Sequence, residues 1–99
     1  MPYIALVTEF AARHRLPAIY AVAPAVLQWG GLMSYSPNLP MVVERTAAIV
    51  DRILRGARPQ DIPVEQPTNF ILAVNLKTAK AMGLTLPPTV LMSADRVVE

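Results

Sequence analysis

The sequence predicts an α/β domain with a mostly parallel sheet of three to four strands flanked by helices. Three short apolar runs, each bounded by glycine, proline or asparagine, have the length of buried strands. Segments with a helical spacing of apolar residues lie between these runs, and this alternation favours parallel strands joined by helices. The strands are expected at about 17–22, 31–35 and 69–75.

The first strand is expected between two helices. The segment before it is amphipathic, with one face formed by Ile4, Val7, Phe10 and Ala11. After the strand at 17–22, residues 23–29 predict a short helix with Pro24 in its first turn, where the missing N–H is tolerated. The glycine pair Gly30–Gly31 ends that helix.

The longest helix is expected from about Leu39 to Arg55, after the second strand at 31–35. Apolar and charged residues fall on opposite faces of this segment. Asn38 can cap the helix, Pro40 suits its first turn, and Gly56 suits a left-handed end.

The third strand is expected after a segment that is too rich in proline for a helix or a central strand, residues 57–68. Asn75 ends the strand at 69–75 and can cap a short helix from Leu76 to Met82. The tail is expected to hold a turn of helix and a final extended segment at 96–98.

Composition excludes several classes of function. The 99 residues carry a net charge of only +2, and the basic residues are spread out, so no nucleic-acid partner is predicted. The absence of cysteine excludes thiol catalysis, disulfides and thiolate metal sites. No apolar run has the roughly 18–20 residues of a membrane span, and no signal peptide is visible. Hydrophobic residues make up 54% of the chain and charged residues 16%. This composition predicts that part of the domain's apolar surface is covered by another protein surface.

The chemistry-bearing residues do not form a catalytic pattern. No nucleophile with a base, no paired carboxylates, no metal-ligand cluster and no glycine-rich phosphate loop is present, so neither an enzyme nor a cofactor is predicted. The single histidine, His14, is expected on the surface near a helix end. Asp51 and Arg55 have the spacing of a surface ion pair, and Trp29 is interpreted as packing or as an interface anchor.

A binding site is predicted where the first two strands end, because open α/β sheets bind ligands at the carboxyl ends of their strands. The candidate ligand-binding residues are Tyr20, Ser34, Tyr35 and Asn38. Each has a second interpretation. Neighbouring strand residues alternate faces, so Ser34 or Tyr35 must point into the packing. Tyr20 can belong to the core or rim, and Asn38 is also a helix cap.

Five segments occur here in an order and spacing that resemble a known family. They are ARHRLPAIY at 12–20, GLMSY at 31–35, VDRILRGA at 50–57, PVEQPT at 63–68 and VNLKTAKAMGL at 74–84. Together they resemble the C-terminal third of ABC-transporter substrate-binding proteins of the tryptophan/tyrosine-uptake type. The resemblance implies a fold similar to type I periplasmic binding proteins, with two α/β lobes, a hinge of crossing strands and a ligand in the cleft. Residues 1–99 would then be a single partial lobe.

The resemblance also implies a function and partners. The chain is expected to be a solute-binding component, or a truncated remnant, of an ABC importer, with a small solute such as an aromatic amino acid as its ligand. Its family partners would be an ABC permease and ATPase, and its family location periplasmic.

The alternative is a truncated protein that binds no solute and whose only activity is self-association as a homodimer. Exposed sheet edges and bare lobe surface favour this alternative. The first interface candidates are Val97, Val98 and the apolar side of Ile4–Phe10. A solute-binding monomer and an obligate dimer that ignores solutes are distinguished by their size.

Overall fold

The computed structural model describes residues 3–99, in which helices and short strands alternate as the sequence predicted. The elements in chain order are α1 (Ile4–Arg13), β1 (Ile19–Tyr20), α2 (Pro24–Leu27), β2 (Met33–Pro37), α3 (Leu39–Leu54), a 3₁₀ turn (Pro59–Asp61), β3 (Phe70–Asn75), α4 (Leu76–Met82), α5 (Pro88–Ser93) and β4 (Arg96–Val98). The α/β class and the sheet flanked by helices are therefore confirmed. The first strand is shorter than predicted, with two residues in place of six.

The four strands form one open sheet in the order β1-β2-β3-β4. β1 and β2 are parallel, with Tyr20 opposite Ser34 in the register. β3 and β4 are also parallel, with Val74 opposite Val97. Two of the three strand pairs are therefore parallel, in agreement with the predicted mostly parallel sheet.

The central pair, β2 and β3, runs in opposite directions. Asn75 N donates to Leu32 O at 2.8 Å, and Asn38 N donates to Asn69 O at 2.9 Å. From residue 32 to residue 38 the chain moves forward through β2, while the hydrogen-bonded residue of the neighbouring strand moves back from 75 to 69. The two strands are therefore antiparallel. The alternation of strands and helices did not predict this antiparallel pair, because it suggested that the chain crosses over between β2 and β3 and leaves the two strands parallel. Residues 37–70, which connect the two strands, form a unit of their own instead.

The chain divides into two compact units. The first contains the described residues up to Ser36 together with Ile71–Glu99, and the second is Pro37–Phe70.

The core of the first unit is made of small and medium apolar side chains. Leu32 packs with Ala79 and Met82, and the partly buried Met33, Leu84 and Leu86 surround this cluster. α1 packs on α2 and α4, and its buried residues are Thr8 and Ala11. The side of α1 that is buried is not its predicted apolar face, because Val7 and Phe10 of that face are exposed. Thr8 tolerates burial because its hydroxyl donates to Ile4 O at 3.0 Å.

The second unit consists of α3 and the segments that follow it. As predicted, Asn38 caps α3, and its Oδ1 accepts from Met41 N at 3.4 Å. Arg45 donates two hydrogen bonds to the Glu65 carboxylate, at 2.9 and 2.8 Å, which tie α3 to the later segment. A cavity of about 250 Å³ lies between α3 and residues 65–69. No residue of 37–70 is buried.

Two features are absent from residues 3–99, the part of the chain that the structure describes. None of the helices there combines the length and the apolar character that crossing a membrane requires. The same residues bring no three histidine, cysteine, aspartate or glutamate side chains close enough to hold a metal ion.

Candidate functional site

The carboxyl ends of β1 and β2 lie at one edge of the sheet, because these strands are parallel. Tyr20 ends β1, and Ser34 and Tyr35 lie in the middle of β2. The carboxyl ends of β3 and β4 lie at the opposite edge, because β2 and β3 are antiparallel. The sequence predicted Ser34 and Tyr35 at the carboxyl end of a strand at 31–35, but β2 continues to Pro37, so of these three residues only Tyr20 lies at the carboxyl end of its strand.

Ser34 and Tyr35 face opposite sides of the sheet, as strand alternation requires. Ser34 is fully buried, and its Oγ has no hydrogen-bond partner among the described residues. Tyr35 is 54% exposed. The prediction that one of the two points into the packing is confirmed, and Ser34 is that residue. Of the pair, only Tyr35 presents a large surface that a solute can contact directly.

Tyr20 packs against the turn that leads from α2 into β2. A Cβ on Gly31 would lie 2.8 Å from Tyr20 Cε2 and 2.9 Å from the Ala25 carbonyl oxygen. Gly31 N donates to that same oxygen at 2.7 Å, which fixes the turn. The Tyr20 ring thus extends towards the start of β2, and the site needs glycine at position 31. Burial raises the pKa of the Tyr20 hydroxyl above its ordinary value of 10.0, so Tyr20 is a neutral hydrogen-bonding group at neutral pH.

The four predicted residues are not all brought together. Tyr20 and Ser34 are register partners, so their side chains share one face of the sheet, and Tyr35 lies on the other face. These three belong to the first unit. Asn38 belongs to the second unit, where its side chain caps α3.

A second concave region lies at the opposite edge of the sheet, and sequence reasoning did not find it. This cavity of about 430 Å³ is lined by Gly30, Asn75, Lys77 and Thr78, with Val26 and Met82 among its apolar residues. Thr78 Oγ1 donates to Gly30 O at 2.8 Å, and Asn75 Oδ1 accepts from Thr78 N at 2.9 Å. The only sequence signal there was the capping pattern of Asn75. The Thr78–Gly30 bond joins residues that are 48 apart, and no local pattern predicts such a contact.

The comparison with protein families decides the identity of the chain. The model of the family described as ABC transporter substrate binding protein matches residues 3–98. The chain belongs to that family. The match extends over nearly the whole chain, so both units and all four candidate residues lie within it. A search of curated protein sequences found no match.

Solved structures with the same fold support this membership of the ABC transporter substrate-binding family. A conserved domain protein from Vibrio cholerae is 25% identical, with a TM-score of 0.88 over 97% of this chain. An ABC domain in complex with L-Trp from Streptococcus pneumonia is 27% identical, with a TM-score of 0.80 over 93% of the chain.

A third structure shows the fold alone. It is the ligand-free, open structure of a substrate-binding protein with adhesive properties from Clostridium difficile, 21% identical, with a TM-score of 0.62 over 98% of this chain. The chain spans 32% of the length of each of the three solved proteins.

Proposed function

We propose that this chain supplies solute-binding surface to an ABC importer and binds a small amino acid-like solute without catalysing a reaction. The observation that carries the proposal is the family match over residues 3–98. The L-Trp complex of the Streptococcus pneumonia relative supports an aromatic amino acid as the solute. The family is one of substrate-binding proteins, which supports a role in binding without catalysis.

The proposed contacts belong to β1 and β2, and the first of them is Tyr35. The exposed ring of Tyr35 offers a stacking surface for an aromatic solute. Tyr20 and Ser34 lie on the face of the sheet opposite Tyr35, and Ser34 is fully buried, so a solute stacked on Tyr35 would not touch them directly and their role as contacts stays a prediction. Asn38, whose side chain caps α3, also stays a prediction as a contact. The proposed importer partners are an ABC permease and its ATPase.

A thermal-shift screen of amino acids tests this proposal. A solute that binds only the folded state adds RT ln(1 + [L]/Kd) to stability, which is roughly 2.7 kcal/mol at about 100 times Kd. We expect an aromatic amino acid to raise the melting temperature of the 99-residue chain and the Tyr35→Ala variant to lose that rise. Tyr35 is 54% exposed, and the melting temperature of the unliganded variant shows whether its substitution changes stability.

The matched control is Tyr3→Ala, which removes another exposed tyrosine, at the start of α1. This variant should keep the full ligand-induced shift. If no amino acid raises the melting temperature at millimolar concentration, the solute-binding proposal is wrong. An equal shift in the wild type and Tyr35→Ala would place the solute away from Tyr35.

Self-association as a homodimer is the second candidate function. A specific observation favours it, since no residue of 37–70 is buried although α3 carries apolar residues at helical spacing. A helix in water gains most of its stability from packing an apolar face against another surface. Such a face on an isolated chain is a surface for association.

A further inference from the structure

The cavity at the opposite edge of the sheet is a concave site within one compact unit. Its volume of about 430 Å³ lies in the range of about 300–1,000 Å³ that is typical of small-molecule sites. All of its lining residues belong to the first unit. It lies where the parallel strands β3 and β4 end, with Asn75 opposite Val98 in the register. The cavity is therefore separate from the candidate site on β1 and β2.

The side-chain amide of Asn75 offers this cavity an unused hydrogen-bond donor. Asn75 is only 5% exposed, and its Oδ1 accepts from Thr78 N at 2.9 Å, so the other end of the amide is the nitrogen Nδ2. Within residues 3–99, Nδ2 donates to no acceptor. Ser34 Oγ is the only fully enclosed side-chain atom without a partner in that part of the chain, so Nδ2 keeps some accessible surface, which the cavity beside it provides. A bound acceptor would recover the hydrogen bond that this nearly buried N–H lacks.

The ammonium group of Lys77 is a second unused donor in the same cavity. Lys77 is exposed, and the ion pairs found within residues 3–99 are made by four arginines, so none of them engages Lys77. The lining residues include no aspartate or glutamate, which leaves the wall of the cavity with a positive charge. The Thr78 hydroxyl already donates to Gly30 O. The donors available to a ligand are therefore an amide and a cation, and together they favour an anionic acceptor.

The rest of the cavity wall is apolar and comes from four different elements. It consists of Ala12 from α1, Val26 and Leu27 from α2, Ala81 and Met82 from α4, and Val98 from β4. Such a wall favours a ligand with a hydrocarbon body. The combination of two donors with an aliphatic wall therefore suits a molecule that has one anionic group and an aliphatic remainder.

We propose that this cavity binds a small aliphatic monocarboxylate. The carboxylate accepts hydrogen bonds from Asn75 Nδ2 and Lys77 Nζ, and the hydrocarbon body packs against Val26 and Met82. An α-amino acid is disfavoured, because its ammonium group would lie near Lys77 and the cavity offers it no carboxylate. This inference goes beyond the proposed function, since it concerns a different site and a different class of ligand.

Three probes of similar size test the proposal by ¹H–¹⁵N correlation spectra of the 99-residue chain. Isocaproate is an aliphatic monocarboxylate, leucine adds an α-amino group to it, and isocaproamide replaces its carboxylate with a neutral amide. We expect isocaproate to cause saturable shifts of the Gly30, Lys77 and Thr78 amides with a dissociation constant on the order of 1 mM, as for other small ligands. Leucine and isocaproamide should bind there at least about fivefold more weakly.

Two lysines of α4 give a matched pair of variants. Lys77 lines this cavity, whereas Lys80 is exposed on the same helix and does not line it. Lys77→Gln should weaken isocaproate binding about three- to tenfold, and Lys80→Gln should leave the dissociation constant unchanged.

Asn75→Asp tests the amide donor directly. Aspartate keeps the oxygen that caps α4 and is an equally good cap, but it removes the N–H donor and adds a negative charge. This variant should weaken isocaproate binding by more than about tenfold. The dispersion of its own spectrum shows that it is folded, and Lys77→Gln, at an exposed position, tests the site without changing the cap.

Four results would overturn the inference. One is the absence of saturable shifts at the Gly30, Lys77 and Thr78 amides at isocaproate concentrations well above the millimolar range. Equal binding of isocaproate and isocaproamide would show that the site does not select an anion. Equal weakening by Lys77→Gln and Lys80→Gln would show that isocaproate responds only to the overall charge. Isocaproate shifts confined to the surroundings of Tyr35 would place the acid at the candidate site on β1 and β2. None of these results depends on whether L-tryptophan binds at Tyr35.

Discussion

Replacing Leu32 with alanine is expected to lower the free energy of unfolding by about 2–5 kcal/mol. Leu32 is 4% exposed and packs with Ala79 and Met82 in the core cluster of the first unit. Removing its isobutyl group loses apolar burial and leaves a cavity between α4 and the sheet. Its carbonyl also accepts from Asn75 N, so the surrounding backbone has little freedom to collapse into the space. Urea denaturation followed by circular dichroism measures the change.

The matched control for this prediction is Leu6→Ala on α1. Leu6 is 62% exposed, so the same substitution removes little buried area there. We expect a change of at most about 0.5 kcal/mol for this surface position. Equal losses at Leu32 and Leu6 would contradict the position of the core described for the first unit.

Replacing Gly31 with alanine has the second largest expected effect. The added methyl group would lie 2.8 Å from the Tyr20 ring and 2.9 Å from the Ala25 carbonyl oxygen, both closer than van der Waals contact. The ring can rotate, but the carbonyl is part of the backbone and accepts the Gly31 N–H. We expect a loss of about 1–3 kcal/mol of stability, as for other overpacked sites, together with displacement of the Tyr20 ring.

A double-mutant cycle separates the two contacts. In the Tyr20→Ala background the ring contact is gone, so Gly31→Ala should cost less there than in the wild type. The difference should be about 0.5–3 kcal/mol, the range for residues in direct contact. Additive effects would mean that the ring does not touch position 31.

The pH titration of tyrosine absorbance gives an independent readout in the Gly31→Ala variant. Displacement of the Tyr20 ring exposes its hydroxyl and moves the raised pKa of Tyr20 back towards 10.0.

Local patterns predicted most of the secondary structure, because capping and helix periodicity act over a few residues. The helix from Leu39 to Leu54, its Asn38 cap and the α4 helix from Leu76 to Met82 were all predicted from such signals. The left-handed Gly83 that ends α4, with φ of 75°, completes the pattern.

Features that depend on long-range contacts were not predictable in the same way. The antiparallel step between β2 and β3 depends on the path of residues 37–70. The buried side of α1 depends on the closeness of α2 and α4, which favours Thr8 and Ala11 over the larger Val7 and Phe10. For the candidate site, alternation predicted that one residue of the Ser34–Tyr35 pair is buried. It could not predict that the Tyr20 ring packs at Gly31, which the fold alone brings close.

The central claim is that a small solute binds at the adjacent strands β1 and β2, around Tyr35. It is tested most directly by ¹H–¹⁵N correlation spectra of the 99-residue chain during titration with L-tryptophan. We expect saturable shifts of the amides around Tyr20 and from Ser34 to Asn38, with a common dissociation constant. A folded chain whose amides do not respond would contradict the claim. Saturable shifts confined to Asn75–Thr78, beside the cavity at the opposite edge of the sheet, would also contradict it.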